Sequence, residues 1–311
     1  MTDSAITGPG PIGGIPLVLG GNVFGWTSKG KTAFAVLDAF FEAGGRMIDT
    51  ADSYSRFAPG NSGGESETLL GQWIEERGVR KDILLHTKNG NMPGDDVYTE
   101  RSVAEGLAKS LERLRTDYLD LYYVHADNED LPIGQIVASF DAVARAGAVR
   151  ALGVSNFGLA RLCAAREQAV QAGAMPFTVL QNQYNLLERG AYPPELQAFC
   201  ETAGIAMCPY FGLASGYLTG KYRGVLDLVK SIRGLGTRSY LRKGPPVLKV
   251  MDAIARETGA SLPAIALAWL REQPGIAAPI ASARNVAQLA ALIESTTLEL
   301  DASQIARLSG A

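Results

Sequence analysis

The chain has 311 residues, 47% of them apolar, and a formal net charge of −3. It is too rich in core formers to be disordered, and long enough for one barrel or two smaller domains. With no basic run, no nucleic-acid or anionic-membrane partner is expected, and no apolar stretch approaches the roughly 20 residues that span a bilayer.

Residues 1–16 carry several Gly and Pro but no basic stretch leading into an apolar one. No secretory leader is read there, and residues 1–14 are expected to form a flexible or hairpin lead-in. Cys163, Cys200 and Cys208 are odd in number and widely spaced, which suits buried thiols in a reducing cytoplasm. His86 and His125 are the only histidines, and no Cys-x-x-Cys or His-x-His pair occurs, so no metal site is expected.

From there on, short apolar runs alternate with longer amphipathic ones. A strand at Ile15–Gly20 precedes a helix at Thr32–Ala43, and Arg46–Asp49 precedes Glu65–Arg77. Asp82–Thr87 leads to Thr99–Leu114, Leu119–Val124 to Ile133–Arg145, and Val149–Val154 to Leu159–Ala172. Thr178–Gln181 is followed by Glu195–Thr202, and Ile205–Pro209 by paired helices at Val247–Glu257 and Leu262–Glu272. The last strand, Ile276–Ala281, is followed by helices at Arg284–Ile293 and Ala302–Leu308. Eight strands separated by helices predict a parallel sheet, and eight is the number that closes. The fold class is therefore α/β, a single (β/α)8 TIM barrel over 1–311 with a short helical C-terminal tail. Two connections, Ser53–Gly64 after the second strand and Tyr210–Pro246 after the seventh, are long enough to be binding loops.

Four proton-active residues sit where strands run out. Asp49 ends Arg-Met-Ile-Asp-Thr, and Tyr54 follows five residues later. Lys88 ends Ile-Leu-Leu-His-Thr-Lys, and His125 ends Leu-Asp-Leu-Tyr-Tyr-Val-His. They converge only if the strands lie side by side and parallel, at the sheet edge where α/β folds do chemistry. Reduction of a carbonyl by hydride needs an acid for the oxygen. A phenol has a pKa near 10, so a nearby cation is needed to loosen its proton. Lys88 can be that cation, Asp49 can hold it charged and oriented, and His125 can hydrogen-bond the carbonyl oxygen.

Arg-Met-Ile-Asp-Thr-Ala-Asp-Ser-Tyr, His-Thr-Lys, Tyr-Tyr-Val-His and Gly-Val-Ser-Asn-Phe (153–157) together resemble the aldo-keto reductase family, almost end to end and nearest its bacterial, NADPH-dependent members with a Gly-Asn-Ser-Gly-Gly-Glu-Ser-Glu segment, here Gly60–Glu67. The resemblance implies that Asp49, Tyr54, Lys88 and His125 are catalytic. It also implies that Ser155, Asn156 and Gln181 grip a nicotinamide carboxamide over Tyr210. Gly21, Asn22 and Asp49 near the first two strand ends are further cofactor contacts on the same ground. The loop Gly212-Leu-Ala-Ser-Gly-Tyr-Leu-Thr-Gly-Lys221 resembles a pyrophosphate site, with Phe211, Gly212, Leu213, Ser215, Gly216 and Lys221 as contacts. It is no Walker loop, since Gly216-x-x-x-Gly220-Lys221 is one residue short and Tyr222 follows.

Ser282, Arg284 and Gln288 resemble the family's 2′-phosphate and adenosine site, at a helix N-terminus that favours anions. NADPH is therefore the expected cofactor. The carboxylate and amide usual near the adenine are replaced by Ala291 and Leu292, and Arg284 alone leaves NADH open. Trp26, Phe57, Tyr98, Asn128 and Phe211 are expected to line an apolar pocket for an aldehyde or ketone, from sugars to aromatic aldehydes. The alternative is a nicotinamide-binding regulatory or assembly subunit without turnover. The oligomeric state stays open.

Overall fold

The computed structural model describes residues 14–92, 97–230 and 234–311; the lead-in up to residue 13, and Arg233, lie outside them. The strands are β1 (Val18–Gly20), β2 (Met47–Asp49), β3 (Leu84–Asn89), β4 (Leu121–Val124), β5 (Leu152–Ser155), β6 (Phe177–Gln181), β7 (Ala206–Met207) and β8 (Ile280–Ala281). Between them run α1 (Gly30–Glu42), α2 (Glu65–Arg77), α3 (Glu100–Leu114), α4 (Ile133–Arg145), α5 (Leu159–Ala172) and α6 (Pro194–Ala203). The long connection after β7 holds short 3₁₀ turns, then α7 (Tyr240–Lys243), α8 (Pro245–Thr258) and α9 (Leu262–Arg271); α10 (Val286–Glu294) and α11 (Ala302–Ser309) follow β8. No helix of the described residues is long and apolar enough to cross a membrane.

All eight strands are parallel in one sheet, ordered β7-β6-β5-β4-β3-β2-β1-β8. Its two edges meet. Met207 N–H donates to Gly275 O (3.0 Å), Ala277 N–H to Met207 O (2.8 Å) and Ile280 N–H to Pro209 O (2.9 Å). This curled α/β sheet is consistent with the expected barrel.

Side chains alternate across each strand. Val18, Leu121, Tyr123, Val179, Ala206, Cys208 and Ile280 form an inner cluster, whereas Leu19, Ile48, Leu85, Tyr122, Val124 and Leu180 join the larger core between sheet and helices. Cys200 and Cys208 are buried free thiols, and Cys163 is half-buried.

Six of the eight strands are shorter than the runs that announce them; β3 keeps the expected length two residues further on, and β6 gains Phe177. Pro16, Pro209 and Pro279 have no N–H for a ladder, so the first, seventh and eighth runs pair over only part of their length. The last barrel helix also starts later than expected. Asn285 accepts the Gln288 N–H as an N-cap, so α10 begins at Val286 and Arg284 lies in the turn before it.

The end of the sheet where β4 begins is fastened by charge. Buried Asp120 accepts Arg80 (2.9 Å), Arg150 (2.7 Å) and the Leu85 N–H (2.9 Å). The two guanidinium groups lie 3.6 and 4.1 Å from the centre of the Tyr118 ring.

Helices α2 and α3 pack closely because Gly71 has no side chain. A Cβ there would lie 2.1 Å from the Arg113 carbonyl oxygen. Helix propensity alone favours Ala over Gly by about 1 kcal/mol. Gly71→Ala should nevertheless destabilise the protein by about 1–3 kcal/mol, because the clash is with backbone. A lowered urea midpoint checks this; an unchanged or higher one would show that the helices separate freely.

Candidate active site

The C-terminal ends of the strands open on a cleft of about 750 Å³. Residues from every part of the chain reach it: Gly20 from β1, Tyr54 and Phe57 after β2, His125 after β4, Ser155 on β5, Gln181 on β6, Tyr210 after β7 and Ala281 on β8.

Beneath it lies the ion pair. Lys88 Nζ donates to Asp49 Oδ2 at 2.6 Å, to the Thr50 carbonyl at 2.7 Å and to the Tyr54 hydroxyl at 2.9 Å. Lys88 and Asp49 are wholly buried. Tyr54 also donates to Asp49 Oδ2 at 3.4 Å, and the ammonium lies 4.6 Å from its ring centre. The His125 ring stands edge-on to Tyr54 at 5.9 Å, with its Nδ1 3.4 Å from Ser53 Oγ. Thus Tyr54 and His125 face the cleft, and Lys88 and Asp49 support them from below.

The Gly60–Glu67 segment clamps this floor. Asn61 donates to the Gly25 and Ser55 carbonyls, and Glu65 accepts the Ser62 and Gly63 N–H groups. Ser66 Oγ accepts from Thr50 Oγ1 (2.8 Å) and donates to the Gly21 carbonyl (2.8 Å). Buried Glu67 takes Arg113 (2.6 Å) and Thr87 (2.5 Å), fixing β3 next to Lys88.

Burial dominates the electrostatics. It pushes the Tyr54 phenol well above its ordinary value, with the charge of Asp49 adding to the effect. It lowers Lys88, against the opposing pull of Asp49. The expected acidification of the phenol is therefore outweighed in this state, and Tyr54 holds its proton. His125 is driven well below the usual imidazole value, first by burial and then by Lys88 and Arg56. His86, buried two residues before Lys88, falls to about 4 mainly through desolvation.

Most of the remaining expected residues meet along the cleft. Ser155 Oγ donates to the Gln181 carbonyl (2.8 Å), and the Asn156 amide donates to Ser155 Oγ and the His125 carbonyl (both 3.1 Å). The Tyr210 hydroxyl donates to Asn156 Oδ1 at 2.7 Å. Phe211, Gly212, Leu213, Ser215, Gly216 and Lys221 continue the wall. Left-handed φ at Phe211, Ala214, Ser215 and Gly216 bends this loop into a concave backbone of the kind that receives anions. At the far end Ser282 donates to Asn22 Oδ1 (2.8 Å), and the Arg284 N–H donates to Gln288 Oε1 (3.1 Å). All four line the cleft, as do Ala291 and Leu292.

Four expectations need correction, and one residue contributes indirectly. Tyr98 does not line a pocket: it is wholly buried, its hydroxyl donates to the Ala126 carbonyl (2.6 Å) and its ring packs on Phe140. Asn128 is half-buried and outside the cleft lining, and its Oδ1 accepts the Asp130 N–H on its own loop. Trp26 supports the wall from behind, edge-on to Phe57 at 4.7 Å. Gly21 is buried under the cleft with its N–H on the Asp49 carbonyl, and Gly20 occupies the wall instead. Asp49 meets Lys88 below the floor and touches no open space. Sequence reading missed the Thr50 carbonyl, a main-chain ligand that no residue type announces, and Asn91, which lines the cleft just past β3.

The chain matches the model of the Aldo/keto reductase family over residues 16–311. It is 30% identical to an aryl-alcohol dehydrogenase of Pestalotiopsis microspora over 93% of this chain and 77% of that protein. An uncharacterized oxidoreductase of Bacillus subtilis is 31% identical, over 92% and 88%. A norsolorinic acid reductase of Emericella nidulans is also 31% identical, over 95% and 78%. The chain belongs to the aldo/keto reductase family. It is an oxidoreductase, of a family that works with nicotinamide cofactors.

Both histidines should stay neutral well into the acid range. In the unfolded chain they bind protons near pH 6.5, but in the folded protein only at lower pH. Acidification from about 6.5 therefore favours unfolding, because the unfolded chain takes up more protons. A proton NMR titration should show His86 titrating at about 4 and His125 staying neutral at pH 6. Either imidazole titrating near 6.5 would contradict the burial argument.

Proposed function

We propose that the protein reduces an aldehyde or ketone to the alcohol, with Tyr54 as proton donor and NADPH as cofactor. The observation that carries this reading is the buried Lys88 ammonium, held 2.6 Å from Asp49 and 2.9 Å from the Tyr54 phenol, which faces the cleft beside His125.

The donor set fits a nicotinamide dinucleotide. Ser155, Asn156 and Gln181 offer an amide-binding corner, Tyr210 a flat face, the 211–216 backbone a concave anion site, and Lys221 and Arg284 two cations along the same cleft. When bound, the reduced cofactor supplies hydride to the carbonyl carbon. The C=O π pair then moves to oxygen, which becomes far more basic than a phenolate, and Tyr54 gives it the hydroxyl proton. The raised proton affinity of Tyr54 keeps the donor loaded until that moment. Lys88 then faces a phenolate rather than a phenol, a charge-assisted contact stronger than the one it replaces. Neutral His125 is suited to hydrogen-bond the carbonyl oxygen without competing for the proton.

Phe57, braced by Trp26, and Phe211 leave aromatic surface exposed beside Tyr54 and His125. Together with the aryl-alcohol dehydrogenase among the relatives, this favours aromatic carbonyl compounds as substrates. Arg284 has no ion pair among the described residues and stands in the turn before α10, which favours a 2′-phosphate and hence NADPH. Ala291 and Leu292 would leave the adenine against an apolar wall.

Tyr54→Phe should cut the rate of NADPH oxidation with an aryl aldehyde by ~10²–10⁴-fold while cofactor binding stays normal. Turnover retained within a few-fold would assign the proton to another group. Cofactor binding with no turnover in the wild-type protein across a panel of carbonyl compounds would instead favour a non-enzymatic subunit.

Arg284→Ala should weaken NADPH binding by about one to two decades and barely change NADH binding, the loss expected for one charge-assisted contact. Added salt should shrink the difference. Equal losses for both cofactors would place Arg284 on a shared part of the dinucleotide. No loss for either would move the phosphate site toward Arg238 or Arg242.

A further inference from the structure

Asp49 receives donors on both oxygens. Lys88 Nζ and the Tyr54 hydroxyl reach Oδ2, whereas Oδ1 accepts Gln181 Nε2 at 3.1 Å. Gln181 ends β6 and Asp49 ends β2, with β3, β4 and β5 between them in the sheet. The bond therefore crosses the inside of the curled sheet. Ser155 on β5 steadies the far end through the Gln181 carbonyl.

Asp49 and Lys88 are wholly buried and Gln181 is 2% exposed. A carboxylate in that position depends on the donors it has, because water is not there to replace one. Lys88 depends on Asp49 in turn, since burial disfavours its charge and the carboxylate 2.6 Å away opposes that most. Losing the donor on Oδ1 would therefore be felt two bonds away, at the ammonium that meets Tyr54.

We propose that Gln181 is a positioning residue of the proton-donating cluster, its side-chain N–H satisfying Asp49 Oδ1 and aiming Oδ2 at Lys88. This rests on the reading of Tyr54 as the proton donor, and it gives Gln181 a task separate from any contact with cofactor.

Two variants test it. In Gln181→Glu a protonated carboxyl can still donate to Asp49, but an ionised one sets two carboxylates together and competes for Lys88. At saturating cofactor and substrate, kcat of this variant should be at its own maximum at the acid end, where the introduced carboxyl is protonated. It should then fall at least about tenfold as the introduced carboxyl ionises, a limb absent from the wild-type profile. Gln181→Leu should lower kcat by about tenfold to a hundredfold at every pH, the effect of one missing buried donor. A change confined to the cofactor dissociation constant, with kcat at saturation following the wild-type pH profile, would overturn the proposal.

A readout independent of turnover uses the cofactor-free protein. The carbon-13 shift of Lys88 Cε should show the ammonium losing its proton at lower pH in Gln181→Leu than in wild type. Coincident titrations would overturn the proposal as well. A wild-type protein inactive on every carbonyl compound would strike the reduction reading, and this titration would still decide whether Gln181 supports the pair. If the Leu variant does not fold, the nearly isosteric Glu variant carries the same NMR comparison, with Lys88 titrating differently from wild type as the expected result and identically as the refuting one.

Discussion

A lysine ammonium and an aspartate carboxylate, both without solvent exposure and 2.6 Å apart, set the terms for the rest of this molecule. Taking two charges out of water costs several kcal/mol each, and their attraction compensates only when the geometry is good and the remaining donors and acceptors are satisfied. The surroundings meet that condition group by group. Thr50 O takes a second ammonium proton, and Tyr54 a third. Thr50 in turn is held through Ser66 to the Gly21 carbonyl, so the first two strand ends and the start of α2 are tied to one lysine. A hydrophobic pair of similar volume would make a core of comparable stability. What it would not make is a phenol with a cation beside it.

The two ends of the sheet use charge differently. Where β4 begins, Asp120 is saturated by two arginines and a backbone N–H, and both guanidinium groups are covered by an aromatic ring. Everything there is paired, and the cluster acts as a fastening. At the cleft end Arg284 has no ion pair among the described residues, and Lys221 only an aromatic neighbour. Unneutralised cations on a concave wall set up a positive potential that draws anions toward it.

The sheet and the polar strand ends are legible in the sequence because both are local. Period and length mark a strand, and a charged or phenolic residue directly after an apolar run is visible without any fold. Asp49, Lys88 and His125 are readable for that reason, and the limits of α2, α4 and α5 fall where the pattern puts them. Tyr98 shows the opposite case. Its position near a strand exit suggests a pocket wall, but a φ of 40° and the Ala126 carbonyl turn the ring into the core. The apolar period extends to Arg284 and so draws it into a helix, and only the side-chain cap at Asn285 says otherwise. The bond from Gln181 to Asp49 joins residues 132 apart, and no pattern within a window could announce it.

Burial also settles which protons are available to the chemistry. Water-poor surroundings favour the neutral form of each group, so the phenol stays protonated and His125 stays unprotonated. Burial works against the charge of Lys88 as well; Asp49 opposes this most, followed by Asp52 and Glu67. The carboxylate thus helps keep the ammonium charged against the effect of burial, and that charge is aimed at the Tyr54 hydroxyl, which becomes anionic in the mechanism proposed above. An acid held neutral and loaded, with its counter-cation already in place, needs no reorganisation of water when the proton leaves. The same apolar packing that makes the ion pair expensive is what makes it effective.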